Sequence, residues 1–232
     1  MNRKVIGITA ALGFLFALVA MLPLRVALAM AGDVPLTAKA IQGSIWSGRL
    51  IDAKLDGIPV GSFQVGLKPA HLLQGRMALD LASLGGERTT ATLYAGFGGR
   101  GIKKLETSLS TPGAFAPLPL DSLTMRDVSL AFKGSNCSEA TGQVRINLVP
   151  KIGPVGLGQT LIGSLRCDGN AVGLNLSSQS GFEKLSLRFM PDGQYSSRLT
   201  IKPQAEADRL ALLAAGFRES QAGLTFELGG RL

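Results

Sequence analysis

One histidine (His71), two cysteines and one tryptophan are all that this 232-residue chain holds of three residue types that commonly build reactive sites. A structural zinc takes four Cys or His ligands, and only three such residues exist here, so a His/Cys-built metal centre is nearly excluded. His71 has no H-E-x-x-H context and sits beside Leu72 and Leu73, which reads as a structural position. No G-x-S-x-G elbow and no S-x-x-K pair occurs, removing two common routes to an activated serine. Aspartates and glutamates are spread singly, mostly in turns, so no paired-carboxylate site forms in the sequence. No catalytic residue, cofactor or metal is therefore assigned, and the chain reads as a non-enzyme. Charge is also scarce, at 17 % of residues against 46 % apolar, which argues against disorder.

The net charge is +8, but the cations are dispersed. Arg3, Lys4 and Arg25 account for three of these positives, and in the remaining body only Lys103-Lys104 are adjacent. Nucleic-acid-binding proteins concentrate their basic residues, so a nucleic-acid partner is not expected. A basic, weakly charged body is compatible with an anionic membrane surface, but solvated side chains are the plainer reading.

What the chain does have is an apolar run. Val5 to Leu24 carries no charge over 20 residues and follows the basic Arg3-Lys4. As a helix it would rise about 30 Å, the thickness of a bilayer core. The flanking cations hold the N-terminus in the cytoplasm and place the rest across the membrane. Residues 1–30 are read as a membrane anchor. A cleaved signal is the competing reading, with small-residue sites at Ala27-Leu28-Ala29 and Ala29-Met30-Ala31. The run is longer than a usual signal core, and Arg25 falls between it and those alanines, as suits a stop at the interface. Either way residues 31–232 form an exported body.

Cys137 and Cys167 then lie in an oxidising compartment, which predicts one structural disulfide over a redox-active pair, since the latter usually takes the form Cys-x-x-Cys. Closing a loop of about 30 residues contributes roughly 3–4 kcal/mol in the chain-entropy model.

Period-2 alternation recurs along the body. Phe63, Val65 and Leu67 alternate with smaller or polar residues, as do Met77, Leu79 and Leu81, then Val144, Ile146 and Leu148, then Leu185, Leu187 and Phe189. This predicts antiparallel strands with one apolar and one polar face. Turn chemistry separates them at Asp56-Gly57, Gly85-Gly86, Gly98-Gly99, Asp168-Gly169 and Asp192-Gly193, so the strands should follow one another as a meander. One helix is expected over Ala205–Ala215, with Glu206 and Asp208 at its start and Gly216 at its end. Leu224, Phe226 and Leu228 predict a last strand. Gly96-Phe97-Gly98-Gly99-Arg100-Gly101 matches G-x-G-x-x-G, but no helix pattern follows, so a glycine-rich hairpin is expected there in place of a phosphate loop.

A repeat is visible. Gly61, Phe63, Val65, Leu67 and Pro69 share their layout with Gly142, Val144, Ile146, Leu148 and Pro150. Two related β units are expected, meeting near the Pro-rich link at 111–120, each Pro ending a strand because it cannot donate to a ladder.

The segment Gly43-Ser44-Ile45-Trp46-Ser47-Gly48-Arg49 resembles the G-x-hydrophobic-W-x-G stretch near the start of type II secretion system protein N, a Gram-negative inner-membrane component. The likeness continues through Gly61–Leu81 and returns at Asp192-Gly193-Gln194-Tyr195 and in the late leucine-rich helix. Many members carry an aromatic residue in the strand before the Pro, where this chain has Val65 and Leu67. The resemblance implies a non-catalytic accessory subunit of the secretion machine, a single-pass inner-membrane protein with its body in the periplasm and other inner-membrane secretion subunits as partners. It marks Gly43, Trp46 and Gly48 as family-motif residues. Trp46 is expected as a core anchor of the first hairpin, with a partner contact as its second reading. The family is also similar to AsmA-like bridge proteins. That likeness implies an all-β, curved, half-barrel-like antiparallel meander and a second function, a lipid-binding or lipid-transfer module with an apolar groove. An unrelated exported β-sandwich is the third reading.

Overall fold

The computed structural model describes residues 20–30, 36–55, 58–72, 75–86, 88–110, 120–149, 151–152, 155–156 and 160–231, with isolated positions 13 and 17. Much of the apolar run from Val5 to Leu24, and with it most of the expected anchor, lies outside these residues, as do Asp56-Gly57, Pro150 and 111–119. Among the described residues no helix is long and apolar enough to cross a membrane. The chain divides into two compact units, Met1–Gly86 and Glu87–Leu232. The link expected near 111–120 thus falls within the second unit, and each unit carries one copy of the repeat.

The first unit opens with a short helix, α1 (Leu24–Met30), followed by β1 (Leu36–Gly43), β2 (Gly48–Leu55), β3 (Ile58–Leu67), the single turn α2 (Pro69–Leu72) and β4 (Arg76–Ser83). The four strands pair in sequence order, all antiparallel. Its core is small. Leu24, Leu50, Ala53 and Val65 are buried, with Leu28, Phe63, Leu79 and Leu81 packed partly against them. The expected facing fails at the start of β4. Met77 is 58 % exposed and Ala78 only 3 %, so the covered face here is that of Ala78, next to the α2 turn where Lys68 N donates to Ala78 O.

The second unit contains β5 (Thr90–Gly96), β6 (Gly99–Ser110), β7 (Leu120–Lys133), β8 (Asn136–Leu148), the two-residue β9 (Lys151–Ile152) and β10 (Val155–Gly156), β11 (Thr160–Asp168), β12 (Ala171–Ser178), β13 (Glu183–Phe189), β14 (Gln194–Ile201), helix α3 (Glu206–Ala214), β15 (Arg218–Ser220) and β16 (Gly223–Arg231). Successive long strands pair antiparallel, β9 and β10 pair only with each other, and β16 sits between β14 and β15. The expected alternation is met in β8, where Val144, Ile146 and Leu148 are buried while Gln143 and Arg145 face water. α3 lies one residue inside its expected range at each end and lays Leu212 on the sheet's apolar face, beside Leu161, Leu185 and Leu199. Arg209 on its outer side donates to Glu206 and to Glu219 of β15, fastening the helix to the edge strand.

The repeat has a structural counterpart. β2 is bulged at Asp52, which stands at φ 49° in the left-handed region, and the register passes from Leu50↔Phe63 to Ala53↔Gly61. β7 is bulged at Asp127, φ 48°, and the register passes from Arg126↔Gln143 to Ser129↔Thr141, leaving Gly142 opposite the bulge. Both repeat glycines have positive φ, +96° at Gly61 and +116° at Gly142. An aspartate tolerates the left-handed region better than most residues because its short side chain can bond locally. The residue after each aspartate, Ala53 or Val128, is turned fully into the core.

Candidate functional site

The three motif residues meet in one loop. Gly43 and Gly48 form the last pair of the β1–β2 hairpin, and Ser44–Ser47 connect them. Gly43 has φ +82°, and a Cβ there would stand 2.4 Å from Ser47 O. Only glycine satisfies both the backbone angle and the spacing. Gly48 is held by contact instead: its Cβ would stand 2.5 Å from Leu24 Cδ2 and 2.9 Å from Ser44 O. The loop between them is locked by hydrogen bonds. Trp46 N donates to Ser44 Oγ at 3.3 Å, Ile45 N donates to Leu22 O at 3.1 Å, and Leu67 N donates to Ile45 O at 2.8 Å. Pro23 and Ser44 form an isolated antiparallel bridge.

These bonds set the loop between the residues preceding α1 and the end of β3. Ile45 points inward and is 8 % exposed, while Trp46 is half-buried and lies outside the buried cluster. Trp46, expected as a core anchor of the first hairpin, is half-buried. Ile45 is the loop's buried residue, and Trp46 stays partly exposed. A rigid loop presenting part of a large aromatic ring is suited to recognition, since little side-chain entropy remains to be lost on contact.

The residue that sequence reasoning missed is Leu24. It belongs to the uncharged run expected in the membrane, yet it is 3 % exposed and forms part of the first unit's core, with Leu28 one turn on. Pro23 interrupts the apolar run just before Leu24, because proline removes a helix hydrogen bond and breaks a helix interior.

Cys137 and Cys167 are joined in the second unit, with a Cα–Cα distance of 5.5 Å. The β8–β11 ladder ends at Gln143↔Ser164, so the bridge holds together the stretch of these strands that has no paired register. The glycine-rich segment forms the β5–β6 hairpin, with Gly96↔Gly99 its last pair. His71 lies in the α2 turn, half-buried. Among the described residues no group of three or more His, Cys, Asp or Glu is placed to hold a metal.

On the polar side of the second unit's sheet is an open depression lined by Arg166, Asn175, Arg188, Arg198 and Glu227. Two of its arginines are already paired, Arg188 with Asp168 at 3.4 Å and Arg198 with Glu227 at 2.6 Å. These exposed pairs fix side chains at the cost of little stability either way.

The family model for type II secretion system (T2SS), protein N matches residues 35–226. A Vibrio cholerae protein named type II secretion system protein N is 26 % identical over 216 residues, covering 84 % of this chain and 86 % of that protein. No solved structure matches.

Proposed function

Because the chain belongs to the type II secretion system protein N family, we propose that it serves that machine as a non-catalytic, membrane-tethered scaffold. Its two β units would lie on the periplasmic side of the inner membrane. The Gly43–Gly48 loop, with the exposed part of Trp46, is the surface that meets another inner-membrane secretion subunit.

One observation carries this reading: Leu24 is buried in the core of the first unit while the residues just before it are hydrogen-bonded to the Trp46 loop. Cleavage at either alanine site would remove α1, empty the space beside Leu50 and Val65, and free the loop. The fold therefore favours a retained anchor over a cleaved signal, and it couples the membrane-proximal residues directly to the loop.

The alternative of a lipid-holding groove has less support. α3 with Leu212, followed by Phe217, covers part of the second unit's apolar face, and Leu161, Leu185 and Leu199 beneath are fully buried.

A photo-crosslinking residue at Ser47 in intact cell envelopes tests the proposal. The expected result is one inner-membrane secretion subunit trapped on a protein whose intact mass includes Met1. A protein beginning after Ala29 or Ala31, or crosslinks to lipid alone, would overturn it. Lipid recovered in stoichiometric amount with the purified chain, and crosslinks to no subunit, would favour the groove.

A further inference from the structure

Phe97 stands at the turn of the β5–β6 hairpin with its side chain fully exposed. Large apolar residues at isolated surface positions are ordinary, but they usually retain some cover. This one has none, and it projects from a turn bounded by Gly96 and by Gly98-Gly99, where no neighbouring side chain can fold over it. The ladder register shows what surrounds it. In successive rows back from the tip, Ala95, Arg100, Phe132 and Cys137 stand side by side, then Tyr94, Gly101, Ala131 and Glu139. Lys133 closes the neighbouring β7–β8 hairpin opposite Asn136, at the same end of the sheet. Lys103 lies with its ammonium 5.3 Å from the centroid of the Tyr94 ring. Arg100, Lys103 and Lys133 are all exposed, and Glu139 is the one carboxylate in these rows.

We infer that this end of the second unit is a membrane-contacting tip: Phe97 enters the headgroup boundary of an anionic bilayer while Arg100, Lys103 and Lys133 pair with lipid phosphates around it. An apolar apex with Arg100 and Lys133 beside the tip and Lys103 a few rows behind it is complementary to a surface that is apolar within and negative at its rim. A protein pocket would need to supply both features by design, whereas an anionic bilayer supplies them everywhere. Each cation near such a surface strengthens binding by roughly fivefold, and an inserted ring adds an apolar contribution that water cannot match. The stiff two-strand hairpin lets the ring enter without reordering the chain. The inference does not depend on which secretion subunit the Trp46 loop contacts.

The test places tryptophan at position 97 (Phe97→Trp) in the full chain, reconstituted in phosphatidylcholine vesicles with or without phosphatidylglycerol. Lipids brominated near the headgroup serve as quenchers, and the Trp46 signal is subtracted using the unaltered chain. Quenching and a blue-shifted emission from position 97 on the anionic vesicles are expected, falling roughly fivefold in apparent affinity for each of Arg100→Ala and Lys133→Ala. Phe182→Trp, at the turn between β12 and β13 at the opposite end of the unit, should stay unquenched. Hydrogen–deuterium exchange of the unaltered chain gives a second reading, with slower exchange over 96–100 on anionic vesicles only. A water-like emission at 97 together with unchanged exchange would overturn the inference. So would equal quenching at 97 and 182, or protection of 96–100 that requires a protein partner.

Discussion

The Cδ2 of Leu24 occupies the position from which a side chain on Gly48 would have to grow, 2.5 Å from where the Cβ would be. Helix α1 and the first hairpin are thereby fitted to each other atom against atom. Gly48→Ala should cost about 1–3 kcal/mol through overpacking, and Leu24→Ala about 2–5 kcal/mol through the cavity it leaves. The double variant should cost less than the two together, since the smaller Leu24 site accepts the added methyl. Urea unfolding of the full chain in detergent measures all three, and strict additivity would show that the contact does not exist.

Gly142, opposite the β7 bulge, should not be interchangeable with a turn glycine. Gly142 has φ +116° and would bring a Cβ to 2.5 Å from Val128 Cα, whereas Gly169 has φ +65° with open space around it. Gly169→Ala should cost about 1–2 kcal/mol, the ordinary left-handed penalty. Gly142→Ala should cost distinctly more, because the Val128 backbone must also move. Equal melting temperatures for the two variants would contradict this account of the repeat.

Reduction of Cys137–Cys167 should lower the stability of the second unit by roughly 3–4 kcal/mol, the loop-closure contribution in the chain-entropy model. Cys137→Ser and Cys167→Ser should match the reduced protein and each other, and neither should alter membrane association. Thermal unfolding with and without reductant decides the matter, and coincident curves would rule out a stabilising bridge.

Leu212 is the one fully buried residue of α3. Leu212→Ala should destabilise by about 2–5 kcal/mol, while Leu210→Ala, at a position 58 % exposed, should change little. Circular dichroism melts of both variants provide the check. A large effect at Leu210 would mean that the outer side of the helix is covered by something else.

Much of this architecture was readable in advance because β structure writes itself locally. Val144, Ile146 and Leu148 alternate in the chain and point inward in the fold, since a pleated strand turns every second side chain the same way. The Ala205–Ala215 helix and the 96–101 hairpin were legible for the same reason, through acidic and glycine signals at their ends. At Met77 and Ala78 the facing differs from the alternation, and no local pattern records what a neighbouring segment covers. The motif glycines could be noticed from spacing. That Gly43 is held by its own loop and Gly48 by Leu24, twenty-four positions earlier, could not.

By itself the sequence determined a chain of antiparallel strands with a late helix, and a cysteine pair fit to be joined. These follow from composition and from short periods, which act within a few residues. The three-dimensional fold decided that Leu24 belongs to a protein core, that Trp46 is shared between interior and surface, and that Phe97 stands bare among cations. Each of those depends on which distant backbone comes to lie alongside, and steric fit between remote segments leaves no mark on the order of residues in either one.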